Sequence, residues 1–286
     1  MTIVRHLPAI PRQGVSMTSS ASAVRAERER ILSFQGGCNF RDIGGYRTGQ
    51  GATTRWGKVY RTGVLTYFTD DDHAPLTSLQ VRSICDLRRA EEREREPTRW
   101  PDTAVSALHW DDGIVTPTIR GLGANYPQTA AGMFDTMVAL YRALPQWMGP
   151  RIGGMFECIA KGNVPLVVHC AAGKDRTGIA VAVLLRSLGV PEETVIEDYL
   201  LTNTSGNFEE FIRSRHQAQL GVTDTHSPLL SMPDEMRRVL FSADPAFLHA
   251  AFEQIDRELG GVDAYLEKVA GVDKSSRDRV IRELLE

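Results

Sequence analysis

Cysteine is scarce in this 286-residue chain: there are four, Cys38, Cys85, Cys158 and Cys170, standing far apart with no Cys-x-x-Cys pair. That excludes a disulfide-stapled module and a short-spaced zinc ligand set, and it favours thiols kept reduced. Long hydrophobic runs are missing too. No apolar stretch approaches the roughly 18 residues needed to span a bilayer, and residues 1–22 lack the continuous apolar core of a signal peptide. The expectation is a cytoplasmic protein without stable membrane insertion, although secretion without a signal peptide stays compatible with the sequence. A basic excess is also absent, since 33 Lys and Arg face 36 Asp and Glu for a formal charge of -3. No surface is therefore built to neutralise a nucleic-acid backbone, and any attraction for an anion must be local.

What is present, 42% hydrophobic and 24% charged residues, suits an ordinary globular domain. Residues 1–29 carry Pro8, Pro11 and a Ser19-Ser20 pair without hydrophobic period, which predicts a flexible tail before a domain over 30–286. From there, short β-rich runs alternate with longer helical ones, the pattern of an α/β fold with a central, mostly parallel twisted sheet flanked by helices. Strands are predicted over 57–61, 81–87, 104–109 and 165–169. The 3.6-residue recurrence of Met133, Met137, Leu140, Tyr141 and Leu144 predicts a helix over 134–158. The C-terminal part reads as helical: Asp244-Pro245 is a cap and first-turn pair, Phe247, Ala251, Ile255 and Leu259 follow at i+4 steps, and Gly260-Gly261 stops the run. These apolar stripes are core faces.

The informative segment begins Pro165-Leu-Val-Val-His-Cys-Ala-Ala-Gly-Lys-Asp-Arg-Thr-Gly178 and continues into an apolar helix, expected to start near Thr177 or Gly178. A buried strand that turns through small residues into a helix aims successive N–H groups, backed by the helix dipole, into one concavity. Cys170 opens that loop. A free thiol ionises near about 8.5, and surroundings of this kind lower the value to roughly 3.5–7.5, which makes the thiolate a nucleophile without an adjacent base. Arg176 offers a planar fork for two phosphoryl oxygens. Gly173 lets the backbone pass close to a phosphate, and the Thr177 hydroxyl is expected to hydrogen-bond the sulfur. Ala171, Ala172, Gly173, Lys174, Asp175, Arg176 and Thr177 are thus the expected substrate-binding loop. His169 is expected to orient the loop through a bond to neighbouring backbone. Cys, five residues, then Arg is a weak signal alone; the strand, the internal glycine, the Thr-Gly and the helix make it specific. An inert cysteine at a tight turn would leave the crowding of Lys174, Asp175 and Arg176 unexplained.

These residues resemble the cysteine-dependent protein-tyrosine phosphatases, and in particular a bacterial branch with tyrosine and phosphoinositide activity. The likeness extends to Asn39-Phe-Arg-Asp-Ile-Gly-Gly-Tyr46, to Cys85-Asp-Leu-Arg88 with Glu91 and Glu92, and to Asp198-Tyr-Leu-Leu-Thr-Asn203. It implies a single α/β domain, a phosphocysteine intermediate and neither metal nor cofactor. The general acid stays open: Asp86 comes first, as the aspartate of the branch's Asp-Leu-Arg motif, Asp175 second, and Asp111 or Asp112 third. Arg41 and Asp42 could tie their segment to the loop, while Gly44-Gly45 permits a tight turn. Relatives carry a helical lid where this chain has residues 199–240, a possibility carried over here.

A P-loop nucleotide hydrolase is excluded, because Gly173-Lys174 is followed by Asp175 and no glycine lies five residues before Gly173. A rhodanese-like sulfur carrier lacks the Arg-Thr-Gly helix entry, and a binding-only pseudophosphatase would have lost Cys170 or Arg176. The expected substrate is a phosphotyrosyl protein, or a phosphoinositide whose head group would use Lys174.

Overall fold

A computed structural model of the chain describes residues 30–102, 104–111, 117–205, 210, 211, 214, 215 and 232–286. The tail expected over 1–29 lies outside the described residues, as do Asp112 and most of 206–231. Five strands form one sheet in the order β1-β2-β5-β3-β4, namely β1 Arg41–Asp42, β2 Val59–Thr62, β3 Ser83–Asp86, β4 Ser106–Leu108 and β5 Leu166–His169. Only β1 runs antiparallel to its neighbour. Three of the four predicted strands are present in shortened form and the one expected over 57–61 runs instead from Val59 to Thr62, while β1 was not anticipated because two residues carry no period.

Successive residues along β5 face opposite sides, so Leu166 and Val168 join the large core while Val167 joins a smaller one. Full burial on both faces is what lets this strand read as an unbroken apolar run. The large core is built with α4 Ala130–Ala160, α5 Asp175–Ser187, α6 Glu192–Leu200, α8 Pro245–Leu259 and α10 Lys274–Leu284. The other face is closed by α1 Asp70–Ser78 with Phe34, Phe40 and Phe68. The remaining helices are α2 Ala90–Arg95, α3 Ile119–Gly123, α7 Asp234–Phe241 and α9 Val262–Lys268.

The helix expected over 134–158 is longer at both ends, because Thr129 caps it by accepting from the Gly132 N–H and packing carries it through Pro145 and Pro150. Asp244 caps α8 at Ala246, and Gly260 ends it at φ 84°, as its sequence foretold. The carboxyl ends of β2, β5 and β3 meet at one edge, where Thr62 and Asp86 flank His169 in register. In an open α/β sheet this edge is where a ligand crevice forms.

Candidate active site

The loop between β5 and α5 leaves the sheet at Cys170 and re-enters helix at Asp175, two residues earlier than expected. An acidic first-turn residue complements the helix dipole and extends the helix backwards. The start of α5 has no side-chain cap, so its leading N–H groups are left for another acceptor.

The loop's carbonyls are turned onto the surrounding frame. The Ala171 carbonyl accepts from Val64 N at 3.1 Å, and the Gly173 carbonyl accepts from Asn39 Nδ2 at 2.9 Å and Arg61 Nη2 at 3.0 Å. Because each peptide is planar and trans, the N–H groups of Ala172 and Lys174 point to the opposite side of the loop. Gly173 is required there: its φ is 69°, and a Cβ would lie 2.5 Å from the Thr62 backbone.

Behind the loop is a buried ionic network. Asp198 accepts from Arg41 Nε at 3.1 Å, Arg61 Nη1 at 2.6 Å and the Tyr46 hydroxyl at 2.9 Å. Burial would raise the Asp198 carboxyl, but Arg41 and Arg61 outweigh it and hold it well below the usual carboxylate range. Arg41 itself is brought down to about 10, chiefly by burial and by Arg61. Arg41 therefore serves the loop through Asp198 and Asn39, whereas Asp42 does not reach it. The Asp42 carboxylate accepts instead from the N–H groups of Gly44 at 2.8 Å and Gly57 at 2.7 Å, closing a turn. Arg61 was not anticipated; a charged residue closing the strand predicted over 57–61 was the available signal.

Arg176 faces a cavity of about 180 Å³ lined by Arg89, Glu92, Pro117, Thr118, Ile119, Leu140, Leu144 and Asp175. Its two Nη atoms hold the carboxylate of Glu92 end-on, at 2.7 and 2.8 Å. This use of the fork is compatible with a second, side-on pair through Nε. Burial would lower the Arg176 pKa, yet Glu92 and, to a lesser degree, Cys170 raise it above its ordinary value. The Glu92 carboxyl is pulled well below its usual range because Arg176 outweighs the cost of burial. Cys170 is 2% exposed, so the sulfur lies beneath the loop surface in this state.

The three aspartate candidates occupy different environments. Asp86 is 3% exposed and is gripped by Arg88 at 2.8 and 2.6 Å and by the Thr98 hydroxyl at 3.0 Å. Burial acts to raise its pKa, but His169 and Arg88 carry it well below the carboxylate range, a state unsuited to giving up a proton. Asp175 lies on the cavity wall, where its Oδ1 accepts from the Tyr141 hydroxyl at 2.8 Å and Lys174 Nζ at 2.6 Å. Asp111 is exposed and pairs with Arg93.

Lys174 is buried, directed at Asp175 and 5.7 Å from the Phe247 ring, so its charge is turned away from an incoming head group. His169 Nδ1 lies 3.3 Å from the Cys170 carbonyl, and Nε2 lies 3.4 Å from Asp86 Oδ2. The expected Thr177 bond to sulfur is not made: Oγ1 is buried without a hydrogen-bond partner among the described residues. Within the segment expected as a lid, Phe211 packs edge-on against Tyr67 and Arg215 pairs with Glu96.

A strand, a small-residue loop that begins at Cys170 and a helix with Arg176 in its first turn thus stand together at the carboxyl edge of the sheet. Residues 32–286 match the model of the tyrosine phosphatase family, and the chain belongs to that family. A Cupriavidus necator protein that carries a provisional tyrosine-protein phosphatase name is 29% identical over 267 residues, covering 91% of this chain and 90% of the relative. The triple specificity protein phosphatase PtpB of Mycobacterium tuberculosis is 27% identical over 289 residues, covering 87% and 97%. A tyrosine-protein phosphatase of Nostoc commune is 32% identical over 146 residues, 50% of this chain and 47% of its own length. The protein is a phosphatase, and the cysteine mechanism follows from its family.

Proposed function

We propose that Cys170 is the nucleophile of a metal-independent protein-tyrosine phosphatase and that Asp175 is its general acid. The observation that carries this reading is the uncapped start of α5, with Cys170 just before it and Arg176 in its first turn on the cavity wall. The Cys170 thiolate attacks phosphorus in line while the loop N–H groups and Arg176 take up the equatorial charge. The ester oxygen departs with a proton from Asp175, leaving a phosphocysteine. A water that gives its proton back to Asp175 then releases phosphate and restores the sulfur. Asp86 is assigned a positioning role through His169, since its carboxyl is held ionised by Arg88 and His169.

The apolar cavity wall of Ile119, Leu140 and Leu144 favours an aryl ester over a polyol head group. The catalytic domain is read as residues 30–286. The four free thiols suit a reducing, cytoplasmic setting. The purified protein is expected to hydrolyse p-nitrophenyl phosphate in EDTA, to be inhibited by vanadate and to trap a phosphocysteine on acid quench. Cys170→Ser is expected to show no turnover. Turnover that survives in Cys170→Ser, or is lost to EDTA, overturns the reading.

A further inference from the structure

We propose that Tyr141 is a positioning residue of the acid step, fixing one oxygen of Asp175 so that the carboxyl proton is held on the other. The proposal rests on the reading of Asp175 as general acid and deepens it. Tyr141 lies in α4, and its hydroxyl donates to Asp175 Oδ1 at 2.8 Å. Lys174 Nζ donates to the same oxygen at 2.6 Å. Both lone pairs of Oδ1 are thereby engaged, so a proton on this carboxyl has Oδ2 as its place. Asp175 lines the cavity with Arg176, and its side chain keeps 20% exposure. The proton that leaves with the ester oxygen is therefore the one on Oδ2, and the two donors on Oδ1 are already in place to stabilise the carboxylate left behind.

The direction of the hydroxyl chain behind Asp175 follows from counting protons. A phenol has one to donate, and Tyr141 spends it on a carboxylate oxygen. The Tyr199 hydroxyl, 2.7 Å from that of Tyr141, is then the donor between the two. Both side chains are fully buried, and burial together with Asp175 pushes both phenols above their ordinary value, so neither ionises at neutral pH. A relay of this kind polarises along its length and holds its last acceptor in one orientation. Tyr199 reaches its place because the residue facing its ring is Gly178, where a Cβ would crowd the ring at 3.1 Å. Asp198, beside it in α6, steadies the Gly173 carbonyl through Arg61. Two consecutive residues of one helix thus serve two tasks of the loop, its shape and its acid.

The test compares kcat for a phosphotyrosyl peptide and for p-nitrophenyl phosphate in wild type, Tyr141→Phe, Asp175→Asn and the variant carrying both substitutions. Tyr141→Phe is expected to lower kcat for the peptide roughly 10- to 100-fold, the scale of a reacting group displaced by about 1 Å, with KM unmoved. The loss for p-nitrophenyl phosphate, whose leaving group needs no proton, should stay under about three-fold. On the Asp175→Asn background Tyr141→Phe should cost the peptide nothing more, because no acid is left to position. Tyr141→Phe alone strands the Tyr199 hydroxyl in the interior, so Tyr141→Phe/Tyr199→Phe is measured as well; it removes both partners and should keep the unfolding midpoint near wild type with the same selective loss. Equal losses for the two substrates, or the full factor lost again on Asp175→Asn, mark a structural role and overturn the inference. If Asp175→Asn itself fails to separate the two substrates, the acid reading falls and the inference with it, while Cys170-dependent turnover of p-nitrophenyl phosphate keeps the phosphatase reading intact.

Discussion

Two carboxylate–guanidinium clusters bear on the phosphate loop, and they differ in how much water they see. In the Asp198–Arg41 pair the side chains are 1% and 0% exposed; in the Glu92–Arg176 pair they are 13% and 16% exposed. The buried cluster sets Arg41 and Arg61 about the single carboxylate of Asp198 and reaches the loop where Arg61 holds the Gly173 carbonyl, so it sets shape. The mouth cluster stays partly hydrated and lines the cavity beside the loop. A group that must answer a substrate has to remain partly hydrated, whereas one that only fixes geometry is strongest when dry and fully paired.

The sharpest way to break this division is Arg176→Lys. It keeps the charge but loses the fork, and kcat for a phosphotyrosyl peptide should fall roughly 10³- to 10⁵-fold, measured in single turnover, with the unfolding midpoint little changed. Next comes the acid: Asp175→Asn should lower kcat roughly 10²- to 10⁴-fold for phosphotyrosine and much less for p-nitrophenyl phosphate, whose leaving group needs no proton. Asp86→Asn should mainly lower stability; if it abolished the acid-dependent step while Asp175→Asn did not, the two assignments would exchange.

Asp198→Asn should cost about 3–5 kcal/mol by urea denaturation, because Arg41 and Arg61 would stay buried beside an uncharged partner. The sign of its pH dependence follows from its depressed carboxyl. Its unfolded value is near about 3.9, so its contribution is complete above that value and lost as pH falls toward the folded one. The wild-type urea midpoint should therefore lose this contribution below about pH 4, and Asp198→Asn should remove that part of the fall. The smallest effect is expected from Gly173→Ala, about 1–3 kcal/mol from its positive φ and the contact with Thr62, read as a shift in unfolding midpoint.

Local features were legible. The strand 165–169, the loop and the helix after it are contiguous, so one window of residues carries both the propensity and the chemistry. The Asp244–Pro245 start and Gly260 stop of α8 were legible for the same reason. Glu92 was visible as part of a family motif, but its grip on Arg176 joins residues 84 positions apart. Asp198 and Arg61, 137 positions apart, were no more readable as partners. Asp86 stood first among the acid candidates through the Asp-Leu-Arg motif; that Arg88, two residues on, turns back onto its carboxylate was not readable from the motif.

By itself the sequence determined four of the five strands, the long helices of the large core, Cys170's place before a helix, and the arginine six residues later. These depend on backbone propensity and on neighbours in the chain. The tertiary structure decided which aspartate faces the cleft, which charges are shared and which are neutralised. A carboxylate's protonation and reach depend on the dielectric and the cations within a few ångströms, and folding brings those together from segments that the chain keeps far apart.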